Sequence, residues 1–576
     1  MTRAFRPQFG FRPVALPAPL AMPDQRLDRP FRDPAAPGPR PARHHAWLVR
    51  LAVMTLPLPF AAGFGWATAQ VLAGAGPLSP ADGLLAVLSG FAVFWMAMST
   101  VSSFCGLFWR PRPRANAAAP GLRVAILLPM YGEDPEETLA PAVRLLASLR
   151  GPGHAHRFSL HVLSDTRSGR AALDEAALVA RLSARRPDLA LTYRHRAKNT
   201  DYKQGNIRDW IGRSGGAYDA ALILDADSVM GRATVLAMAD ALVADPGCAL
   251  VQSLPITLPG ETVWQRLQSF ASRVYGGPHG RGHALWTGSD GNFLGHNAVV
   301  RLRAFAACAG LPHLSGPRPL GGVILSHDFV EAALLRRAGW GVRFLPEAPD
   351  SHEQAPASLI GHIRRDARWC QGNLQHVRLL KTRGLAPLSR LHFATGAMSY
   401  IGSPVLALIL ILWATAGRDA VGLPGTAGLQ AGLAATVVFL LFAPRLFGLA
   451  DYLRRTGVPR GRRLGFARVL AVETAVAVLS APVMMIHHIR IIARALTGTD
   501  TGWPQHGQGR QPWGALLRFH APETLIGLGL LAAMPFGLIS LWALPVALGL
   551  IAAVPLSALT GGRGDWLPAV ATGRLD

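Results

Sequence analysis

The chain has 576 residues, half of them apolar, and carries 58 Lys and Arg against 34 Asp and Glu for a net charge of +24. That is long for one globular domain and, at a mean hydropathy of +0.25, apolar for a wholly soluble protein. The four cysteines, Cys105, Cys248, Cys308 and Cys370, are far apart and form no C-x-x-C, so neither a disulfide framework nor a cysteine zinc site is indicated.

The basic excess is almost entirely Arg, since Lys occurs only at 198, 203 and 381; a compositional bias of the genome would give the same excess. The Arg residues cluster beside apolar runs, which favours anionic lipid headgroups and cytoplasmic loops as partners over nucleic acid. Residues 1–45 are rich in Pro and Arg and read as a disordered basic tail on the inner side of a membrane, with no pattern of a cleavable signal. Two apolar stretches follow, about Ala46–Leu72 and Gly83–Phe108, each long enough to cross a bilayer, and Arg110, Arg112 and Arg114 return the chain to the basic side. From Gly121 to about Arg390, strands alternate with helices: strands at Arg123–Leu128, Phe158–Ser164, Leu189–His195 and Ala221–Leu224, and helices at Ala171–Arg185 and Gln204–Arg213. Such alternation, with carboxylates at strand ends, implies a mostly parallel, doubly wound α/β sheet with its ligand at the carboxyl edge. Beyond it, His392–Trp413 and Leu429–Leu449 are span candidates, and Leu525–Leu541 with Leu544–Leu559 reads as a closing hairpin. Phe466–Leu496 is long enough to span but carries Glu473, His487, His488, Arg490 and Arg494, so a helix lying in the interface is the alternative.

The chemistry gathers at element ends. Asp225 and Asp227 close an apolar strand two residues apart, the pair of hard oxygen donors that a divalent cation on phosphates requires. Asp165 ends another strand, and Asp328 falls in the first turn of a helix that Ser326 can cap, where a carboxylate is held ionised and can take a proton from a hydroxyl. Lys203, opening a helix as Lys203-Gln204-Gly205-Asn206, offers a charge to a diphosphate or to a site carboxylate. Arg368 and Trp369 offer a guanidinium for a phosphate leaving group and a flat face for a sugar ring. The Val263–Val274 segment has helical apolar spacing and suits a helix under the membrane, without chemistry. No P-loop, G-x-S-x-G or H-E-x-x-H motif is present. His487 and His488 are adjacent, hence on different helix faces, and make a weak metal site.

Taken together, Leu127-Leu128-Pro129-Met130-Tyr131-Gly132-Glu133, Ser164-Asp165-Thr166, Lys203-Gln204-Gly205-Asn206, Asp225-Ala226-Asp227, Gly295-His296-Asn297, Ser326-His327-Asp328 and Arg368-Trp369 occur in the order seen in processive membrane glycosyltransferases of family 2. Within that family the chain most resembles the branch that builds the backbone of osmoregulated periplasmic glucans, through Leu224–Met230, Ser326–Leu334 and Arg336–Gly341. The resemblance implies a GT-A fold (a Rossmann-like α/β domain) inserted in a multi-span helical membrane protein of the bacterial inner membrane. Its reaction would be inverting transfer of glucose from UDP-glucose to a growing β-1,2-glucan, coupled to export, with Mg2+ or Mn2+ as cofactor. It further implies a periplasmic glucan-modifying protein and an acyl carrier protein as partners. Tyr131, Glu133, Asp165, Lys203 and Asp225 would bind the donor nucleotide, and Asp225 and Asp227 the metal. Asp328 would be the catalytic base, and Arg368 and Trp369 would line the acceptor and leaving-group side. Two departures from cellulose-synthase-type enzymes argue against cellulose: Ser326-His327-Asp328 stands for T-E-D, and Arg365 for the Gln of Q-x-x-R-W.

The expected organisation is a tail (1–45), two spans (46–110), the catalytic domain (115–390) and two further spans (391–450). An interface helix with a gating loop around Thr499–Trp503 (464–520), a hairpin (521–560) and a tail (561–576) complete it, with six crossings rather than seven. Another β-glucan or cellulose-like synthase, or a catalytically silent membrane scaffold, stays open as an alternative.

Overall fold

A computed structural model describes residues 17–39, 46–109, 120–348, 350–415, 417–498 and 511–568. The expected gating loop at Thr499–Trp503 lies outside them. Five strands form before the middle of the catalytic domain: β1 (Arg123–Met130), β2 (Arg157–Ser164), β3 (Leu191–His195), β4 (Ala220–Ile223) and β5 (Val229–Met230). Five more follow: β6 (Cys248–Ser253), β7 (Ile256–Thr257), β8 (Ala298–Arg301), β9 (Gly341–Leu345) and β10 (Ser351–Glu353). Seven make one sheet in the order β3-β2-β1-β4-β8-β6-β9, and β5-β10-β7 make a small second sheet.

β1 explains why the large sheet is central. Its Val-Ala-Ile-Leu-Leu run is buried throughout, and successive residues serve opposite faces. Ala125 and Leu127 pack in one core with Trp210 and Ile211, whereas Val124, Ile126 and Leu128 pack in the other with Leu139 and Leu146. Each fully buried aliphatic side chain contributes about 1.5–3 kcal/mol of transfer free energy. The sheet is parallel except for β8, which runs antiparallel to both β4 and β6. Because Ala298 at the start of β8 pairs with Ile223 at the end of β4, the residues preceding β8 arrive at the same edge as those following β4.

The tail reading fails for residues 17–39. They form an extended strap across the catalytic domain, hydrogen-bonded by Leu20 N–H to Ile211 O, Gln25 N–H to Gly310 O and Asp33 N–H to Ala338 O. The Asp33 carboxylate accepts the Trp340 Nε1–H at 2.9 Å, and Arg337 donates to Arg26 O and Gln25 Oε1. Composition was read as a chain too poor in aliphatics to build a core. It is, but its prolines pre-extend the backbone and lower the entropy lost on docking onto a core built by others.

Five helices among the described residues are long and apolar enough to cross a membrane: Ala46–Ala73, Pro80–Phe108, Pro387–Thr415, Pro424–Arg455 and Arg460–Leu496. The bent pair Leu541–Ile551 and Ala553–Thr560, kinked by 46°, raises the number to six if it counts as one. The closing hairpin differs from its expected limits, since its first helix runs Trp513–Ala533. The ambiguous segment is one 34-residue helix, Arg463–Leu496. Near its start Phe466 and Val469 share a core with Val263, Trp264 and Leu359 of the catalytic domain, and near its end His488 Nε2 meets Asp366 Oδ2 at 2.7 Å.

The Val263–Thr287 helix joins the catalytic domain to the spans. A methyl group on Gly106 would stand 1.9 Å from Pro278 O, and one on Gly282 1.9 Å from Ser102 O. This backbone approach lets Arg281 donate from Nε to Gly106 O at 2.9 Å and pair with the buried Asp451 at 2.8 Å.

Candidate active site

The carboxyl edge of the sheet gathers Asp165 after β2, Asp225 and Asp227 after β4, and Gly295-His296-Asn297 before β8. Lys203 arrives on the Tyr202–Ser214 helix, whose entry needs two left-handed residues, Asp201 (φ 58) and Tyr202 (φ 53). Gly205 is required there, because a Cβ would stand 2.0 Å from Thr200 O. The Lys203 ammonium donates to Asp225 Oδ1 and, at 2.8 Å, to Gly295 O. Asp328, in the first turn of the His327–Arg337 helix, approaches the same glycine, its Oδ2 3.4 Å from where a Gly295 Cβ would be. A glycine there (φ 89) accepts the left-handed backbone and adds the least bulk beside the carboxylate. Ser326 occupies the N-cap of that helix but makes no capping side-chain bond; instead Gly372 of the Leu359–Leu379 helix fits so closely against it that a Cβ would lie 2.2 Å from Ser326 Oγ.

The electrostatics separate these acids. Burial would raise Asp225, but Lys203 and then His296 outweigh it and hold that carboxyl below its ordinary value. Asp227 is raised, by burial and then by the charge of Asp225 beside it. For His296, burial works against the cation, yet Asp225 and Glu353 push the imidazole up to about 9; its Nε2 is 3.3 Å from Glu353 Oε2. Asp328 is raised by burial against the pull of the neighbouring His327, which itself pairs with the buried Glu331 at 3.1 Å.

Two hard carboxylates forced together in a half-buried site, one of them raised by the other, are a donor set that fits a divalent cation. Asp225 and Asp227 would hold it; among the described residues Lys203 and His296 already supply positive charge to them.

The outer part of the site is less closely assembled. Asp165 lines a cleft of about 370 Å³ with Thr166, Arg167, Arg196, Lys198 and Asn199, but both its oxygens accept from Arg196 at 2.7 Å. Glu133 accepts the Tyr131 N–H at 2.5 Å, and the Arg167 guanidinium lies 5.8 Å from the Tyr131 ring. Trp369 is 47 % exposed, and the Arg365 guanidinium stacks on it at 4.6 Å. Arg368 sits one residue before it on the same helix, partly buried.

Sequence reasoning gave no role to His296, Glu353 or Arg365. His296 was quoted only as part of a motif; its place beside Asp225 follows from the antiparallel β8, which nothing local in the sequence announces. Arg365 was noted only as a departure, whereas its charge acts on Asp227 and favours the ionised form. Asn297 (φ 51), buried, donates to Ser351 Oγ at 3.0 Å and His352 O at 3.1 Å, which ties β8 to β10 and so brings Glu353 to His296.

Residues 221–448 match the model of the glycosyl transferase family group 2, which makes this a family 2 glycosyltransferase domain. Over nearly its whole length the chain is 39 % identical to the glucans biosynthesis glucosyltransferase H of Rhodopseudomonas palustris (strain BisA53), covering 95 % of this chain and 81 % of that one. The Bradyrhizobium diazoefficiens protein of the same name is 38 % identical, covering 97 % and 77 %, and that of Shewanella sp. (strain ANA-3) 38 %, covering 84 % and 71 %. The chain belongs to the glucans biosynthesis glucosyltransferase H family. Among solved structures, the mannosyltransferase PcManGT from Pyrobaculum calidifontis, in complex with GDP-Man and Mn2+, aligns with a TM-score of 0.42 at 16 % identity, over 65 % of this chain and 99 % of that one; at that score the likeness carries no argument.

Proposed function

We propose that this glucosyltransferase of glucan synthesis transfers glucose from UDP-glucose to a growing β-1,2-glucan, with inversion, on the cytoplasmic side of the bacterial inner membrane, and passes the product outward between its spans. The observation that carries the reading is the convergence on Gly295: Lys203, paired with Asp225, bonds its carbonyl, and Asp328 approaches its Cα.

Asp225 and Asp227 hold Mg2+ or Mn2+, which when bound offsets negative charge on the donor diphosphate. Lys203 adds a fixed positive charge at the same place, where charge develops as the nucleotide leaves. Asp328 takes the proton of the acceptor hydroxyl; burial raises its affinity for that proton, as the task of a general base requires. The attacking oxygen bonds to the anomeric carbon as the bond to the diphosphate breaks, so an α-linked donor yields a β-glucoside. Tyr131, Glu133 and Asp165 flank the nucleotide, Arg368 the leaving group, and the exposed Trp369 face receives the acceptor sugar.

The six crossings of this reading are Ala46–Ala73, Pro80–Phe108, Pro387–Thr415, Pro424–Arg455, the Trp513–Ala533 helix and the kinked pair, with Arg463–Leu496 not among them. Arg266 bonds Gly564 O at 2.8 Å, which supports returning the chain to the catalytic side after the last span. Contacts to that domain near both ends of Arg463–Leu496 support laying this helix along it. Incubating purified enzyme with labelled UDP-glucose and analysing the linkage tests the function: β-1,2 product is expected, whereas β-1,4 or β-1,3 product points to another glucan synthase and absence of UDP release to a silent scaffold.

A further inference from the structure

Away from the site, three ionisable side chains converge where no catalytic role uses them. His487, on the Arg463–Leu496 helix, meets His520 and Glu523, on the Trp513–Ala533 helix. One ligating atom from each lies within 4.8 Å of the others. All three are almost wholly enclosed, at 4 %, 0 % and 0 % exposure. Within them, His487 Nε2, His520 Nδ1 and Glu523 Oε2 have no hydrogen-bond partner among the described residues. Three such orphans at one point would each cost about 1–3 kcal/mol or more if nothing answered them.

We propose that these three side chains form a metal site for a borderline divalent transition ion, zinc by its preference for imidazole and carboxylate, that clips the two helices together. The spacing is near that of a metal site: donors at about 2.1 Å from a tetrahedral zinc stand about 3.4 Å apart, and here His520 Nδ1 is 3.7 Å from Glu523 Oε2, with a His487 nitrogen completing a set whose atoms all lie within 4.8 Å. The surroundings orient the donors as outer partners of a metal site do. Ser557 Oγ is 2.7 Å from His520 Nε2 and can accept a hydrogen bond from it, in the tautomer that leaves Nδ1 a lone pair for the ion. Arg490 Nη1 holds Glu523 Oε1 at 2.9 Å and leaves Oε2 facing His520. Phe519 stacks on the His487 ring at 5.1 Å and closes one side. His488 is no part of it, since that ring turns to Asp366 and Ser403. Three protein donors leave one position for water, but the enclosure suits a structural ion.

The test uses the full-length protein in detergent, carrying Asp225→Asn and Asp227→Asn so that the first acidic pair binds no ion. After chelator stripping, loading with Zn2+ and washing, elemental analysis is expected to find about one zinc per chain. Glu523→Gln, close in shape, should abolish that retention, and Ser557→Ala, which removes only an orienting partner, should weaken Zn2+ affinity about 10–100-fold. Co2+ in the unmutated cluster should give the strong visible bands of a four-coordinate ion, a readout that does not depend on any variant folding. Zinc retained equally by Glu523→Gln, or no zinc retained and no such cobalt spectrum with the native cluster, would overturn the proposal and leave a buried ion-pair network around Arg490.

Discussion

At the scale of single residues, the catalytic argument turns on Asp328 and its neighbour. Asp328→Asn keeps the shape but cannot accept a proton, so transfer should fall at least about 10²-fold, the lower end of a general base's contribution, while UDP binding measured by calorimetry stays close to native. Lost UDP binding would instead assign Asp328 to the donor. The pH profile tests the same residue differently. Transfer needs the carboxylate, so activity is present above the raised pKa of Asp328 and is lost as pH falls through it. His327 pulls that pKa down; His327→Gln removes the pull and should shift the acid limb of kcat to higher pH. An unmoved limb would place the titrating group elsewhere. Asp225, Asp227 and Asp328 were proposed from sequence because they fall in an ordered series of motifs; alone, a strand-end pair or a first-turn acid is explained by solvent or by the helix dipole. His296, Glu353 and Arg365 were not, because their roles exist only once β8 has inverted and the Leu359–Leu379 helix has packed against Ser326.

Among elements, two contacts decide how parts join. Gly282 and Gly106 let the Val263–Thr287 helix touch the Pro80–Phe108 helix backbone to backbone. Gly282→Ala forces a methyl into Ser102 O and should cost about 1–3 kcal/mol as an overpacking change, lowering the melting temperature in detergent. Gly276→Ala on the same helix meets nothing within 4 Å and should be neutral or stabilising, by up to about 1 kcal/mol from helix propensity. Equal effects would deny the close approach. The strap supplies the second contact. Asp33→Ala leaves the buried Trp340 indole N–H unanswered, a loss of about 1–3 kcal/mol, and limited proteolysis should then cut within residues 17–39 faster than in the native chain. The alternating strands and helices were readable because their apolar periods of two and near four are local properties. The strap was not, since its partners lie hundreds of residues away and its own pattern has no period.

For the whole molecule, the question is which side each connection faces. The strap and the catalytic domain are in contact, so the two helical segments between them, Ala46–Ala73 and Pro80–Phe108, leave and return. In the proposed topology Pro387–Thr415 and Pro424–Arg455 make a second excursion, and the Trp513–Ala533 helix with the kinked pair a third, its turn at Met534–Ala543. In a Cys105→Ser background, where the remaining cysteines are buried, Gly537→Cys should react with an impermeant maleimide in cells whose outer membrane alone is opened. Asp565→Cys should react only after the inner membrane is permeabilised. The reverse pattern would require an odd number of crossings after the catalytic domain.

The strap also sets an order of events during biosynthesis. Gln25 bonds the Ala307 carbonyl and the Arg337 side chain, 282 and 312 positions later in the chain. At about 5–20 residues per second, the ribosome needs roughly a quarter of a minute to a minute to make that receptor surface. By then the first two helices have left the ribosome, with the strap still unpartnered. Its docking therefore comes late, and only onto a catalytic domain whose last strands are in place. A protease that samples nascent chains would find residues 17–39 cleavable until the domain is finished and protected afterwards, so a segment made before the first spans reports on the completion of a domain made after them.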